Sequence, residues 1–371
     1  MNHASIYLDY NASAPLLPQA KEVMIKTLDN ENKALNASAV HYFGREGRKI
    51  VEEARIHCAQ LVGTQANQII FNSGATEGNN TVLNHFRDGS ILISAIEHPS
   101  ILETAQTNQN AHIIPVRKNG QIDVNKLEEL LIKYSPKLVS CMLVNNETGA
   151  IQNVSEISKL TNKYNAFFHC DATQAVGRIP VSVNGIDFLT FSSHKIGGPQ
   201  GVGALALGLC GQTPTLLHGG GQEKSARAGT ENVAGIVGFG AAAQYALKNL
   251  DSLSNQAHLR DKLENKIKQI SPEVIIHCEN TARIANTCFV SLPDHDSQKL
   301  LIAFDLEGIA ISNGSACSSG TVKPSHVLMA MTNDEKIASS ALRISIGWAT
   351  KESDIDAFLI AWEKIYKRIK G

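Results

Sequence analysis

Lys195 closes the stretch FSSHK (191–195) and is followed by the glycine-rich run GGPQGVG. An apolar run leading straight into a lysine sets an ammonium where it is costly unless solvated, paired or chemically used. Desolvation lowers the pKa of such an amine, which suits Schiff-base chemistry, although a surface lysine in a glycine loop has the same spelling. Asp171 ends the run FFHCD, and one crossover could bring it to the same sheet edge. Alone, an aspartate there is a helix N-cap. Coupled to Lys195 it points to pyridoxal phosphate, which needs a lysine for its aldehyde and commonly an acid at the pyridine nitrogen. SGATEGNN (73–80) reads as a strand, a turn of small residues and a helix start. Its amides and the Thr76 hydroxyl suit a phosphate, or simply a capping box. In SNGSACSSG (312–320) Cys317 sits among small residues that cannot pack a core, so it reads as an exposed nucleophile rather than a buried thiol. Arg343, in ALRISIG, is an ion-pair partner or a fork for a substrate carboxylate.

These groups need a scaffold. Short apolar runs at 68–71, 90–95, 138–144, 166–170, 188–191 and 203–207 alternate with helical stretches, of which 125–134 and 154–164 are the clearest. Several runs are continuous, as strands covered on both faces should be, so the pattern predicts an α/β domain with a largely parallel sheet. The polar clusters fall where the strands end, which is where such sheets bind ligands. Residues 232–270 read as helical and poor in breakers, a bridge out of this domain. Beyond it, strands at 274–277, 287–291 and 342–346 and a helix capped by Ser353 predict a smaller α+β domain. In that helix Ile355, Phe358, Leu359, Trp362, Ile365, Tyr366 and Ile369 form one stripe. A length of 371 residues predicts two domains. The larger is expected over 15–255; the smaller, over 1–14 and 256–371, carries the cysteine loop.

Lys+Arg 34 against Asp+Glu 35 leaves a net charge of -1, which offers no electrostatic footprint for nucleic acid or an anionic membrane. No apolar run approaches the roughly 18 residues of a membrane span. The opening MNHASIYLDY has no secretory pattern, so a soluble, cytoplasmic protein is expected. Cys58, Cys141, Cys170, Cys210, Cys278, Cys288 and Cys317 form no CxxC pair, which argues against a disulfide framework and against a metal site.

The motifs together resemble the class V pyridoxal-phosphate enzymes and, within them, the cysteine desulfurases of the NifS and IscS type. The likeness runs almost end to end through IYLDYNASAP, NASAVHYFGREGR, SGATEGNN, EHPS, VNNETG, DATQAVG, SSHKIGGPQGVGAL, HGGGQEKSARAGTEN, SNGSACSSG and KPSHVLMAM. The cysteine loop is similar to that of the first desulfurase group. The resemblance implies the aspartate aminotransferase-like fold, type I, with a mostly parallel seven-stranded sheet. It implies that Lys195 holds the cofactor covalently, that Asp171 pairs with the pyridine nitrogen, and that Gln174 and Asn146 surround the phenolic oxygen. Ala75, Thr76, Ser192 and His194 would bind the phosphate, joined by Thr230 from the partner of a homodimer. His98 would stack on the ring and help proton transfer, Arg343 and Asn36 would bind the substrate, and Cys317 would carry the persulfide. The implied activity converts L-cysteine to L-alanine and passes sulfur to an acceptor protein such as an iron–sulfur scaffold. Another class V activity, an aminotransferase or selenocysteine lyase, and a non-catalytic scaffold are the alternatives.

Overall fold

The computed structural model describes residues 6–29, 34–254, 256–313 and 323–371. Cys317 therefore lies outside the described residues. In chain order the strands are β1 Ile6–Tyr7, β2 Ile69–Asn72, β3 Ile91–Ser94, β4 Ala111–Ile114, β5 Leu138–Ser140, β6 Phe167–Asp171, β7 Phe188–Ser192, β8 Gly203–Leu207, β9 Ile275–Ile276, β10 Thr287–Ser291, β11 Ile309–Ala310 and β12 Ala341–Ser345.

Seven of them form one sheet in the order β2-β8-β7-β6-β5-β3-β4. From β7 to β4 every pairing is parallel, while β8 runs antiparallel to both of its neighbours. β3, β5 and β7 are buried along their whole length, which is why their sequences are continuous apolar runs. In edge strand β4 only Ile114 is buried and Ile113 is exposed, and the sequence pattern passes over it.

The expected bridge at 232–270 is three helices, Val233–Lys248, Leu250–Ser254 and Ala257–Ile270. The first ends at Asn249, whose backbone N–H and side-chain amide both turn back onto the Tyr245 carbonyl, at 3.0 and 2.8 Å. Helix Val233–Lys248 lies against helix Tyr42–Leu61, and Gly240 lets them meet: a Cβ there would stand 2.6 Å from Cα and Cβ of Ala54.

The second sheet is antiparallel, in the order β12-β10-β9, and the N-terminal strand β1 pairs in parallel with β11. Helix Glu352–Lys370 covers this region, burying Ile355, Phe358, Leu359, Trp362 and Ile365, with Tyr366 and Ile369 partly buried. Phe358 stacks on Phe304 with ring centroids 5.0 Å apart. The helix starts earlier than Ser353. Lys351 is its N-cap, because the Asp354 carboxylate accepts the Lys351 backbone N–H at 2.8 Å and closes the first turn from within. Among the described residues no helix is long and apolar enough to cross a membrane.

Helix propensity alone would make Gly240→Ala stabilising by about 1 kcal/mol. The helix crossing reverses the sign: a loss of about 1–3 kcal/mol is expected from overpacking. Urea unfolding of both proteins decides, and a raised midpoint in the variant would refute the close approach.

Candidate active site

A cleft of about 630 Å³ opens at the carboxyl ends of the parallel strands and is roofed from the second sheet by Arg343. It is lined by Ala75, Thr76, His98, Asn146, Asp171, Gln174, Ser192, His194, Lys195 and Arg343, all expected there from the sequence. Topology explains the convergence. Asp171 is the last residue of β6, and Lys195 ends a 3-10 turn that begins directly after β7. Gly74, at φ 148°, links β2 to helix Ala75–His85, whose start no side chain caps. His98 caps helix Pro99–Gln106 beyond β3.

The electrostatics follow from burial. The Lys195 ammonium donates to the carbonyls of Asn11 and Ala12 at 2.6 and 2.7 Å. Burial, then the guanidiniums of Arg343 and Arg178, bring its pKa down to about 7, against the pull of Asp9 and Asp171. Burial also lowers His194 to about 4, with Lys195 and Arg178 adding to it, and lowers His98. His98 Nδ1 accepts the Ser100 backbone N–H at 3.1 Å, so in the neutral ring the proton sits on Nε2. Asp171 accepts the Thr173 N–H on one oxygen and the Asn79 amide on the other, at 2.9 and 2.7 Å.

Arg343 donates to the Asn146 carbonyl at 3.0 Å and to Asp9 at 2.8 Å. Its backbone exchanges hydrogen bonds with Ser312, which also lines the cleft. Gln174 donates to the Asn11 carbonyl at 2.9 Å, and Arg178 occupies its Oε1. Four buried polar atoms on lining residues lack a hydrogen-bond partner in the protein: Asn146 Oδ1, Glu147 Oε1, Thr173 Oγ1 and Arg343 Nε. Orphaned groups of this kind are costly, and a polar ligand satisfies them. An amine, a carboxylate, an uncapped helix start and unpaired donors and acceptors in one cleft fit pyridoxal phosphate together with an amino acid.

Two expected residues lie outside this cleft. Thr230 and Asn36 are exposed on the same chain's exterior, where Asn36 Oδ1 accepts the Ser38 N–H at 3.0 Å and the Ser38 hydroxyl reaches Glu231 at 3.4 Å. The loop holding Thr230 is pinned by Arg227 on Glu77 at 2.9 Å and by the buried Arg55–Glu223 pair at 2.6 Å. Sequence reasoning passed over Asp9, Asn11, Glu147 and His326, which also line the cleft. His326 donates from Nε2 to the Glu97 carbonyl at 3.0 Å and sets Nδ1 3.8 Å from Glu147. Asp9 and Asn11 lie within IYLDYNASAP, so their signal was present but carried no chemistry until the N-terminal segment folded over Lys195.

The chain matches the aminotransferase class-V family over residues 6–358 and belongs to that family, whose enzymes depend on pyridoxal phosphate. It is 36% identical to the cysteine desulfurase IscS of Dictyoglomus turgidum, over 98% of this chain and 95% of that one. The NifS-like protein of Rickettsia africae superposes with a TM-score of 0.91 at 41% identity, covering 98% of this chain and 99% of that one. SspA in complex with cysteine superposes with a TM-score of 0.79 at 27% identity, over 92% and 99%. Within the family the chain falls with the cysteine desulfurases of the NifS and IscS type.

Beneath the cleft, Glu97 is fully buried and accepts the Met142 N–H at 2.7 Å. Burial, helped by the Asp171 charge, pushes its pKa up to about 8. Unfolded, the same carboxyl ionises near its ordinary value, so its contribution to stability is complete in acid and is lost as pH rises through about 8. Glu97→Gln is expected to gain on the wild type as pH rises from about 5 to about 9, by an amount on the order of a few kcal/mol. Urea midpoints across that range test it, and parallel curves would show that the carboxyl is not held neutral.

Proposed function

We propose that this protein is a cytoplasmic, homodimeric cysteine desulfurase that converts free L-cysteine to L-alanine. The sulfur is carried as a persulfide on Cys317 to an acceptor protein for iron–sulfur cluster assembly, tRNA thiolation or both. The observation that carries the reading is that Lys195, Asp171 and Arg343 line one cleft. In this reading residues 15–255 form the cofactor-binding domain, and 1–14 with 256–371 the domain that brings the cysteine loop. Thr230, exposed on its own chain, completes the phosphate site of the partner, and the neighbouring Asn36 assists at the substrate mouth.

Pyridoxal phosphate, when bound, supplies an aldehyde for the substrate amine and a protonated ring that draws electrons from the substrate's Cα. Lys195 holds the aldehyde until substrate arrives, and Asp171 keeps the proton at the ring nitrogen. Ala75, Thr76, Ser192 and His194 hold the phosphate, while Gln174 and Asn146 face the phenolic oxygen. Arg343 presents its unpaired Nε edge to the substrate carboxylate. A pKa near 7 leaves much of Lys195 as free amine at neutral pH, so it accepts the Cα proton. His98, protonated on Nε2, is set to donate. The Cys317 sulfur then bonds to the substrate sulfur as the carbon–sulfur bond breaks. The electron pair stays on the three-carbon fragment, which takes up the thiol proton at Cβ, recovers its Cα proton from Lys195 and leaves as alanine.

Purified protein loaded with the cofactor should form alanine from L-cysteine and, with a reductant, sulfide. Cys317→Ser should keep the cofactor's visible absorbance and form no sulfide; equal turnover by that variant would refute the nucleophile. Arg343→Met should raise KM for cysteine by about 10- to 100-fold, the weight of a charged hydrogen bond. An unchanged KM would remove Arg343 from the substrate site.

A further inference from the structure

Asn79 is fully buried one turn into helix Ala75–His85, where packing alone would favour an apolar side chain. Its side-chain amide nitrogen lies 2.7 Å from Asp171 Oδ2 and 2.9 Å from Ser100 Oγ. The same Ser100 hydroxyl is 2.9 Å from His98 Nδ1. Donor and acceptor roles along this chain follow from the Asp171 carboxylate at one end and from the Ser100 backbone N–H, which makes His98 Nδ1 an acceptor, at the other. Asp171 can only accept, so the group facing it is Nδ2 of Asn79; the reversed amide would set two acceptors together. The second N–H of that amide goes to the Ser100 oxygen, whose own hydrogen then points at Nδ1. His98 Nδ1 already accepts the Ser100 backbone N–H, which agrees with that direction. Asn79 Oδ1 meanwhile has no partner despite its burial. A position kept for core packing would not favour a side chain with an unsatisfied acceptor. One donor of the amide is directed at Asp171, which lines the cleft, and the other at Ser100, which contacts the cleft residue His98.

We propose that Asn79 is a positioning residue that aims the Asp171 carboxylate at the cofactor ring and, through the Ser100 hydroxyl, steadies the rotation of His98, whose tautomer the Ser100 backbone N–H sets. This rests on the reading of Asp171 and His98 as the groups that meet the cofactor. Lys195, Asp171, His326 and Glu103 also act electrostatically on His98, so the two ends of the relay are separated by variants rather than by pH alone.

The holoenzyme is compared as wild type, Asn79→Leu, Asn79→Ala and Ser100→Ala. Each is read for the cofactor dissociation constant, the pH midpoint of the bound cofactor's visible band, and kcat and KM for cysteine. Both Asn79 variants are expected to weaken cofactor binding at least tenfold and to move the pH midpoint. Ser100→Ala, which cuts only the His98 branch, is expected to lower kcat several-fold while dissociation constant, midpoint and KM stay within twofold. Asn79→Ala guards against a leucine that does not pack. If both Asn79 variants match the wild type in affinity and midpoint, or if Ser100→Ala moves the midpoint as far as they do, the relay is refuted. Failure of the wild type to make alanine would instead strike the desulfurase reading, so the two failures are told apart by which protein shows them.

Discussion

The short N-terminal strap at Asp9–Ala12 holds the two sheets in working relation, and its Asn11 and Ala12 carbonyls meet the Lys195 amine. Lys195 belongs to the large sheet through β7, whereas Asn11 belongs to the strap, which has just left β1 beside β11. The strap is itself committed on every side. The Asn11 side chain donates to Thr287 at 2.9 Å and accepts from Asn286 at 3.1 Å, and its backbone carbonyl also receives Gln174. Two residues earlier, Asp9 meets Arg343 at 2.8 Å. A few residues of backbone therefore set both the amine and the guanidinium, and neither moves without loading the other.

That coupling also explains the charge arrangement. Lys195, Arg178 and Arg343 crowd one region in which Asp9 and Asp171 are the carboxylates that oppose them. A protein interior does not tolerate such an excess of cationic donors unless a ligand brings negative charge, and a phosphate with an amino-acid carboxylate does so. Burial and the two guanidiniums lower the pKa of Lys195, and Nε of Arg343 has no partner within the protein.

What could be read from the sequence is what strand ends dictate. Asp171, Lys195, Ser192 and the turn after β2 are legible because an apolar run stops and a polar residue follows at once. Arg343 is legible only as a choice between an ion pair and a substrate fork, and the fold uses it for the first while leaving an edge for the second. Ser353 misled because it spells an N-cap, while Asp354 capped the helix from inside. Edge strand β4 and the break at Asn249 were invisible because exposure, in one case, and a local backbone turn, in the other, leave no hydrophobic period. Asp9 and Asn11 were harder still: their role exists only once residues far apart in sequence meet, and no local pattern encodes it.

The site is thus layered by how far apart its parts stand along the chain. Groups at strand ends are placed by the sheet and tolerate local change elsewhere. The strap, the Asn79 amide and the Arg178 contact to Gln174 each use a buried hydrogen bond to orient a group they do not react with, and the first two do so across long separations. Buried polar contacts of this sort contribute little net stability but strongly penalise a wrong arrangement, since losing one partner strands the other. Their cost is offset by the apolar cores beneath, around Phe191 and Phe239 in one body and Phe304 and Phe358 in the other. Stability and orientation are accordingly supplied by different residues, and the cleft can keep unsatisfied polar atoms only because the packing around it does not depend on them.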